Sequence, residues 1–270
     1  MTGNRLIALP GVPAFEFDGV KYRQASKHQQ EWGKRIIAGL QLTGREQVLD
    51  LGCGDGTLTS WLASLVPEGH VTGIDASAGM IDAAKQFETN NLDFILMDIG
   101  DMDFVDRFDL IFSNATLHWV KDHDGLLRAS RAALRKHGVI RWNFAGDGNC
   151  GTFFDTVRAV MAEPAFCQYF EDFEWPWFMP DVAVYEAMVK KAGLSSTSVT
   201  GENADRYFQD ADEMIRWIDQ PSLVPFLPRL PDGRKDTFRQ EVVDKMVART
   251  RQPDGRCFET FRRINVAAVK

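Results

Sequence analysis

One short segment constrains the fold of this chain more than any other part of the sequence. The apolar run Val48–Leu51 is followed by Gly52, Gly54 and Gly56, and a helix-like segment begins at Thr57. Glycines placed in this way let the backbone take unusual torsions and come close to a bound ligand. Their spacing differs from the Gly-x-Gly-x-x-Gly pattern of dinucleotide-binding loops, and plain strand–helix turns also contain glycine triplets. The segment therefore predicts a strand, a tight turn and a helix, with a ligand-binding loop as one interpretation of the turn.

The alternation of short apolar runs and helix-like segments continues along the chain. The predicted strands are 48–51, 71–75, 94–97, 108–112, 138–144, 194–200 and 258–269. The predicted helices are 24–40, 57–66, 77–88, 123–136, 181–192, 210–219 and 233–250. Strands that alternate with helices indicate βαβ units, and strands buried on both faces of a parallel sheet are apolar throughout. We therefore expect an α/β fold with a doubly wound, seven-stranded, mostly parallel sheet.

The charge and composition of the chain argue against several classes of protein. The chain has 31 Lys and Arg against 38 Asp and Glu, a net charge of −7 that argues against a general nucleic-acid binder. No apolar stretch approaches the ~20 residues of a membrane span, and the N-terminus lacks the features of a secretory signal. The four cysteines are scattered and form no Cys-x-x-Cys pair, which is typical of reduced thiols. We expect a cytoplasmic protein with no metal, nucleic-acid or membrane partner, and leave open whether it is a monomer or a weak dimer.

Two acids follow the second and third predicted strands. Asp75 ends one strand, where a carboxylate can accept hydrogen bonds from both hydroxyls of a ribose. Asp98 and Ile99 follow the next strand, where they can pair with an adenine edge through the carboxylate and a backbone N–H. Ligands of open α/β sheets bind at this edge, although a single acid at a strand end is more often a turn residue or a helix cap. The glycine loop, Asp75 and Asp98 follow three successive predicted strands, and together they favour a ligand that contains adenosine.

These residues together resemble those of a known family. The glycine loop, Asp75, Asp98 and the segment Ser-Asn-Ala-Thr-Leu-His-Trp-Val at 113–120 resemble the class I S-adenosylmethionine-dependent methyltransferases. Within that superfamily, the chain is similar to the trans-aconitate methyltransferase branch and to related carboxyl methyltransferases. Further similarity lies at 22–29, 177–180, 251–255 and 261–263. The resemblance implies a Rossmann-like fold, S-adenosylmethionine as cofactor and S-adenosylhomocysteine as product.

The resemblance also implies which residues bind the cofactor. They are Asp50, Gly52, Cys53, Gly54, Asp75, Ala76, Met80, Asp98, Ile99 and Asn114. Asp50, the Gly52 carbonyl and the Asn114 backbone would hold the ammonium group, and Cys53 and Gly54 would lie against the methionine portion. Asp75 would bind the ribose, Ala76 and Met80 would cover the adenine, and Asp98 and Ile99 would contact its edge.

The domain organisation expected from this resemblance is a single methyltransferase domain over residues 1–270. Residues 1–44 are interpreted as a cover segment with an N-terminal cover helix, and 45–145 as the cofactor-binding half. Residues 146–270 are interpreted as the substrate-side half, which contains a helical insertion at 209–256 near the C-terminus.

The predicted chemistry is an in-line displacement, in which the enzyme holds the nucleophile, methyl carbon and sulfur collinear. A carboxylate nucleophile is already ionised at neutral pH and needs no general base. By resemblance to carboxyl methyltransferases, Gln29 and Trp119 would orient the acceptor as catalytic residues. Tyr22 and Ser26, near the cover helix, are further candidates for binding a small-molecule substrate.

Three other substrate-site candidates each have an alternative interpretation. His118 is a general base or a structural residue packed beside the cofactor. Trp177 belongs to an aromatic segment at 166–178, which either encloses the substrate or forms the core of the insertion. Arg262 is a candidate partner for a substrate carboxylate, but successive strand residues face opposite ways, so only one of Arg262 and Arg263 can face the site.

The sequence as a whole predicts an S-adenosylmethionine-dependent methyltransferase that methylates an oxygen of a small-molecule carboxylate. Alternatives are methylation of nitrogen, carbon or phenolic oxygen in a specialised metabolite, and a non-catalytic cofactor-binding partner subunit. A nicotinamide dehydrogenase is disfavoured by the glycine spacing and by Asp98.

Overall fold

The central element of the fold is a seven-stranded sheet. A computed structural model describes residues 27–270, so Tyr22, Ser26 and the rest of the first 26 residues lie outside the described part. The strands are β1 (Gln47–Leu51), β2 (His70–Asp75), β3 (Leu92–Leu96), β4 (Phe108–Asn114), β5 (Leu134–Ala145), β6 (Ser195–Asn203), β7 (Arg206–Phe208), β8 (Cys257–Glu259) and β9 (Arg262–Val269). The sheet order is β3-β2-β1-β4-β5-β9-β6, and β9 alone runs antiparallel to its neighbours. The structure confirms the predicted fold class.

Helices cover both faces of this sheet. They are α1 (Lys27–Ala38), α2 (Thr57–Leu65), α3 (Ala78–Ala84), α4 (His123–Ala133), α5 (Gly151–Met161), α6 (Val182–Lys191), α7 (Ala211–Trp217) and α8 (Asp232–Thr250). Shorter helical segments are Lys85–Phe87, Ile99–Asp101, Leu117–Trp119, Cys167–Tyr169, Ile218–Ser222 and Leu227–Arg229. Val48 packs with the helices α1 to α3, whereas its neighbour Leu49 packs with α4 and α6 on the other face. This alternation explains why β1 is apolar at successive positions.

The strand order places a cleft between β1 and β4. The chain leaves β1 towards β2 on one side and later returns to β4 on the other, so the order reverses between these two strands. Ligands of doubly wound sheets bind at such a reversal, outside the carboxyl ends of the strands. The ends of β1 and β4 are Leu51 and Asn114, and the glycine loop follows the first of them.

A second hydrophobic core lies beyond the sheet and is built by α5, α7 and α8. Its buried aromatic residues include Phe153, Phe166, Phe226 and Phe238. The helix α5 is not among the helices predicted from the sequence. The predicted last strand, 258–269, is divided in the structure: β8 pairs with β7 in a separate two-stranded sheet, and only β9 joins the main sheet.

Glu259 explains why the chain departs from one continuous strand. Its side chain is fully buried, and its carboxylate accepts from the backbone N–H groups of Thr152 at 3.3 Å and Phe153 at 2.9 Å. A carboxylate at this position satisfies donors at the N-terminus of α5 and interacts favourably with its dipole. Residue 259 therefore faces the second core, and the main sheet begins at Arg262.

No helix within residues 27–270 combines the length and the apolar character needed to cross a membrane.

Candidate functional site

The glycine loop after β1 lies in the left-handed region of backbone space. Gly52 has φ +70° and Gly54 has φ +55°, values that side-chain-bearing residues adopt at a cost. A Cβ on Gly52 would lie 2.0 Å from Thr116 Cγ2, whereas a Cβ on Gly54 would meet nothing within 4 Å. Gly52 therefore permits the loop to pack against the segment after β4. Gly54 borders open space on the ligand side of the loop.

Asp75 connects this loop to the next helix. One carboxylate oxygen accepts from the Gly54 N–H at 3.0 Å, and the other accepts from the Ser77 N–H at 2.9 Å. Ser77 Oγ in turn accepts from the Met80 N–H and caps α3. A carboxylate oxygen accepts more than one hydrogen bond, so these two backbone contacts are compatible with the predicted role of Asp75 in binding a ligand. Ala76 and the buried Met80 flank the same turn.

Asp98 lies at the carboxyl end of the neighbouring strand. Its side chain is exposed and accepts from the Gly100 N–H at 2.7 Å, which caps the short helix Ile99–Asp101. Because this bond uses only one oxygen of the carboxylate, Asp98 can cap the short helix and still bind a ligand. Ile99 is buried beside it, so the acid and an apolar surface are presented together.

Asp50 occupies the end of β1 beneath the loop. It is 2% exposed and accepts a hydrogen bond from Thr59 Oγ1 at 2.7 Å. Burial raises the pKa of Asp50 to about 7, and the negative charge of Asp75 adds to this rise, while the Thr59 hydrogen bond opposes it. A nearby cation, such as an ammonium group, would favour the ionised form. Cys53 is also buried, and burial raises the pKa of its thiol, so it is a packing residue of the loop rather than a nucleophile.

Asn114, at the end of β4, joins the cover helix to the cleft. Its Nδ2 donates to the backbone carbonyl of Gln29 at 2.9 Å, which sets the orientation of the side-chain amide. Its Oδ1 is buried and has no hydrogen-bond partner among the described residues, and the same holds for Gln29 Oε1. Buried acceptors without donors are costly, so these two oxygens favour a ligand that brings N–H or O–H groups. The Gly52 carbonyl accepts from Thr116 Oγ1 at 3.1 Å and has a second lone pair for such a ligand.

His118 and Trp119 follow β4 on a short helix. The Trp119 ring centroid lies 5.8 Å from that of His118 and 5.2 Å from that of Trp177. His118 Nδ1 is a buried atom with no hydrogen-bond partner among residues 27–270. Burial lowers the pKa of His118 well below its usual value, and the positive charge of Arg263 lowers it further. The ring is therefore neutral at pH 7.

The residues present fit S-adenosylmethionine. The fit rests on the open space beside Gly54, on the carboxylate of Asp75 at the strand edge, and on the buried Asn114 oxygen that requires a donor. Within the described part of the chain, no group of three or more His, Cys, Asp or Glu residues is arranged to hold a metal ion.

Comparison with known proteins establishes the family. A family model described as "Methyltransferase domain" matches residues 48–138. A trans-aconitate 2-methyltransferase from Mycobacterium sp. (strain KMS) is 30% identical over 249 residues, which are 86% of this chain and 91% of that protein. The chain belongs to the class I S-adenosylmethionine-dependent methyltransferases. Its cofactor is S-adenosylmethionine, as the sequence predicts.

Two further relatives of this methyltransferase bear on its chemistry and fold. A malonyl-[acyl-carrier protein] O-methyltransferase from Acetivibrio thermocellus is 30% identical over 135 residues, 49% of this chain and 48% of that protein. A phosphoethanolamine N-methyltransferase 2 from Haemonchus contortus, solved in complex with S-adenosylmethionine, superposes with a TM-score of 0.60 at 20% identity. That superposition covers 96% of this chain and 60% of the other, and it shows the shared fold.

The methyltransferase brings most of the sequence-predicted site residues to one edge of its sheet. Gln29, Asp50, Asp75, Asn114 and Trp119 all lie at or over the carboxyl ends of β1, β2 and β4. Trp177 contacts Trp119 from the aromatic segment. Phe166 is buried in the second core and Trp177 packs against that core, so the segment belongs to the core of the insertion, and enclosure of the substrate stays a prediction.

Arg262, the arginine predicted to bind a substrate carboxylate, forms an ion pair with Asp205, and its role stays a prediction. Its neighbour Arg263 is 4% exposed and lies over the Trp32 ring of α1, with 4.4 Å between the guanidinium carbon and the ring centroid. Residues two apart on a strand point to the same face, so Phe261 and Arg263 both face α1. Arg263 is also the arginine whose positive charge contributes to the lowered pKa of His118.

Sequence reasoning missed several residues that shape the site. Asn143 on β5 accepts from Arg263 and lies opposite Asn114 in the sheet. Gly33 allows α1 to approach β4, because a Cβ there would lie 2.2 Å from Leu58 Cδ1 and 3.1 Å from Asn114 Nδ2. The signal for Asn143 is its place near the carboxyl end of a predicted strand, the edge at which open α/β sheets bind ligands.

Proposed function

We propose that this methyltransferase transfers the methyl group to a carboxylate oxygen of a small molecule. The observation that carries the proposal is the state of His118. It is the histidine nearest to Trp119, yet burial and Arg263 lower its pKa, and no described carboxylate hydrogen-bonds to it. A general base works best with a pKa near the operating pH, and a phenol or an alcohol requires one. A carboxylate acceptor does not, because it is already ionised.

The other histidine of this region supports the same conclusion. His123 is 1% exposed, and its Nε2 lies 2.9 Å from the Leu117 carbonyl while its Nδ1 lies 3.0 Å from Tyr185 Oη. Because a carbonyl only accepts, Nε2 carries the proton and Nδ1 accepts from the tyrosine. Burial lowers the pKa of His123 to about 4. It is a neutral structural residue with both nitrogens engaged.

The chain's own residues have separable tasks in this mechanism. Bound S-adenosylmethionine supplies a methyl group activated by a sulfonium. Asp50, Asn114 and the Gly52 carbonyl would hold its ammonium, and Cys53 and Gly54 would contact the methionine portion. Asp75 would bind the ribose. Ala76, Met80, Asp98 and Ile99 would bind the adenine.

Gln29 and Trp119 orient the acceptor. An amide and an indole N–H donate to carboxylate oxygens, and correct alignment converts binding energy into rate for an in-line displacement. The aromatic rings at Trp119 and Trp177 also exclude water. A reaction between an anion and a cation loses charge on the way to the transition state, so a dry site favours it over the separated, hydrated ions.

The names of the relatives add independent support. Trans-aconitate and a malonyl group both carry free carboxylates, and these are the acceptors named for the proteins from Mycobacterium and Acetivibrio.

We also propose that residues 1–270 act as one unit, because Trp177 joins the second core to Trp119, which follows β4 of the main sheet.

A methyl-transfer screen tests the acceptor class. The protein is incubated with methyl-labelled S-adenosylmethionine and four acids: trans-aconitate, a malonyl thioester, cinnamate and a branched unsaturated fatty acid. Each acid is paired with its primary amide, and simple phenols and amines form a third set. Turnover of at least one acid, with none of its amide, is the expected result. Turnover confined to phenols or amines would refute carboxylate methylation, and cofactor binding without turnover of any compound would favour a non-catalytic subunit.

A further inference from the structure

A buried histidine outside the proposed reaction is bonded to the short helix that carries Trp119. His123 is the first residue of α4 and is 1% exposed. Its Nε2 donates to the carbonyl of Leu117, the first residue of the short helix, at 2.9 Å. The same carbonyl accepts from the Val120 N–H at 3.0 Å, so both of its lone pairs are engaged. The start of α4 is thereby tied back to the segment that follows β4.

Tyr185 of α6 determines which nitrogen of this histidine carries the proton. The tyrosine is fully buried, and its hydroxyl lies 3.0 Å from His123 Nδ1. Because the proton on Nε2 is donated to the Leu117 carbonyl, the neutral ring has none on Nδ1, which accepts from the tyrosine. Burial raises the pKa of the Tyr185 hydroxyl, so it stays a donor. The pair of residues therefore permits a single tautomer of the ring.

The aromatic segment supplies a second contact to the same short helix. The Phe178 N–H donates to the His118 carbonyl at 2.8 Å, and the Phe178 ring lies 4.7 Å from the His123 ring. The two carbonyls that are held from outside the short helix belong to successive residues, immediately before Trp119. These bonds therefore restrain the backbone from which the indole extends.

We propose that His123 is a positioning residue that holds Trp119 in place for the acceptor, and that Tyr185 keeps His123 in the tautomer that this requires. The inference rests on the proposed function, in which Trp119 orients the acceptor. An in-line displacement depends steeply on alignment, so a small displacement of the indole lowers the rate. Burial lowers the pKa of His123 to about 4, so at neutral pH the ring keeps one donor and one acceptor.

Three variants separate these hydrogen bonds from simple packing. Tyr185→Phe removes only a hydroxyl, His123→Gln keeps an amide N–H near the position of Nε2, and His123→Leu keeps apolar volume without a donor. On the compound that the screen identifies, we expect kcat to fall about tenfold in Tyr185→Phe and at least as much in His123→Leu. His123→Gln should retain more turnover than His123→Leu. Calorimetry should show little change in affinity for S-adenosylhomocysteine in all three variants.

A double variant tests whether the tyrosine acts through the histidine. If Tyr185 contributes only by fixing the tautomer of His123, its hydroxyl has no further effect once the imidazole is gone. The kcat of the double variant Tyr185→Phe/His123→Leu should therefore equal that of His123→Leu. Independent losses that multiply would contradict this relay.

Fluorine NMR follows the indole independently of turnover. The chain has seven tryptophans, so labelling with fluorotryptophan gives a set of signals in which the one lost in Trp119→Phe belongs to Trp119. With S-adenosylhomocysteine bound, we expect this signal to shift or broaden in Tyr185→Phe and in His123→Leu. The signal of Trp61 on α2, assigned through Trp61→Phe, should remain in place.

Two controls separate positioning from a general loss of stability. Val189 is fully buried in the same core and on the same helix as Tyr185, so Val189→Ala leaves a cavity and destabilises α6. It should lower the melting temperature, yet leave kcat and the Trp119 signal unchanged. Tyr169→Phe removes a hydroxyl from a tyrosine packed against the second core and should also leave both unchanged.

The outcomes distinguish this inference from carboxylate methylation. If only phenols or amines are methylated, carboxylate methylation falls, and the same variants assayed on that compound decide the role of His123. If an acid is methylated and Tyr185→Phe and His123→Leu keep full turnover, carboxylate methylation stands and His123 is not a positioning residue.

The Trp119 signal decides the remaining cases. If no compound is methylated, a displaced signal in both variants supports positioning by His123. An unchanged signal in both variants would overturn the inference whatever the screen finds. An equal loss of kcat in Val189→Ala would also overturn it, because lost stability would then explain the effect.

Discussion

Asp50 and Asp75 end neighbouring strands, yet their carboxylates have different environments. Asp75 accepts two backbone N–H groups, whereas Asp50 is almost entirely buried and has one hydroxyl partner. Burial is a tertiary effect, and it raises the pKa of Asp50 to about 7. An acid that titrates near neutrality and binds an ammonium group makes cofactor affinity depend on pH.

The expected pH dependence has a definite sign. As pH rises from 6 to 8, Asp50 ionises and attracts the cofactor's ammonium, so affinity for S-adenosylhomocysteine should increase about tenfold. Calorimetry at intervals across this range checks the increase. Asp50→Asn should bind more weakly and show a flatter profile, and an equally steep profile in that variant would contradict the assignment.

The raised pKa of Asp50 also makes the stability of the ligand-free protein depend on pH, with the opposite sign. Folding raises the pKa of Asp50 from 3.8 to about 7 because the carboxyl group is buried, so the unfolded chain releases this proton first as pH rises. The free energy of unfolding therefore falls across that interval, and the contribution is lost above a pH of about 7. Chemical denaturation of the wild type and Asp50→Asn at several pH values measures the difference.

Gln29 and Trp119 support a prediction about catalysis. Gln29→Ala and Trp119→Phe should each reduce turnover about 10- to 100-fold, because a misaligned acceptor loses the near-attack geometry. Affinity for S-adenosylhomocysteine should change little, since neither side chain is assigned to cofactor binding. Single-turnover kinetics and calorimetry separate the two quantities. Full activity of both variants on the acid identified in the screen would show that other groups orient the acceptor.

At the scale of elements, the glycine loop has two kinds of glycine that a sequence cannot tell apart. Gly54 borders open space, whereas a Cβ on Gly56 would lie 2.9 Å from both Ala84 Cβ and Phe94 Cζ. Gly54→Ala should cost about 1–2 kcal/mol of stability from its positive φ and should weaken cofactor binding strongly. Gly56→Ala adds a clash between α2, α3 and β3, so it should cost a further 1–3 kcal/mol. Thermal unfolding measures the loss of stability in each variant, and calorimetry measures the loss of cofactor affinity. If the ratio of lost affinity to lost stability were equal in the two variants, this contrast would be contradicted.

The elements that were predicted correctly are those with local signals. The strands of the first half are continuous apolar runs, and the helices after them have apolar residues at helical spacing. The helix α5 was missed because two glycines precede it and a third is its first residue, although Phe153, Val157 and Val160 form a buried face. The division of the last strand was missed because Glu259 turns into the second core, a contact made with residues more than a hundred positions earlier.

At the scale of the whole molecule, the second hydrophobic core reaches the short helix Leu117–Trp119 that follows β4. Trp177 packs against that core, with its ring 5.2 Å from Trp119 and 5.2 Å from Phe154. Trp177→Ala should raise the KM for the acid acceptor several-fold while leaving affinity for S-adenosylhomocysteine unchanged. The expected loss of stability is about 3 kcal/mol, as for other truncated core aromatics.

Phe173→Ala is a matched control for this prediction. Phe173 belongs to the same aromatic cluster and stacks on Phe226 at 5.1 Å, and no ring contact joins it to Trp119 among the described residues. It should lose comparable stability without the rise in KM. Equal KM effects in both variants would mean that the insertion acts through its general packing rather than through the contact with Trp119.

The sequence by itself determined the fold class, the glycine loop and the acids at the strand ends, because these depend on local periodicity and on residues next to one another. Only the tertiary structure decided that Arg263 rather than Arg262 faces α1, that Arg263 donates to Asn143, and that His118 is neutral. Strand alternation separates two neighbouring arginines, but the choice between them depends on which side the cover helix packs. The pKa values of His118 and Asp50 depend on burial, which arises from segments far apart in the chain.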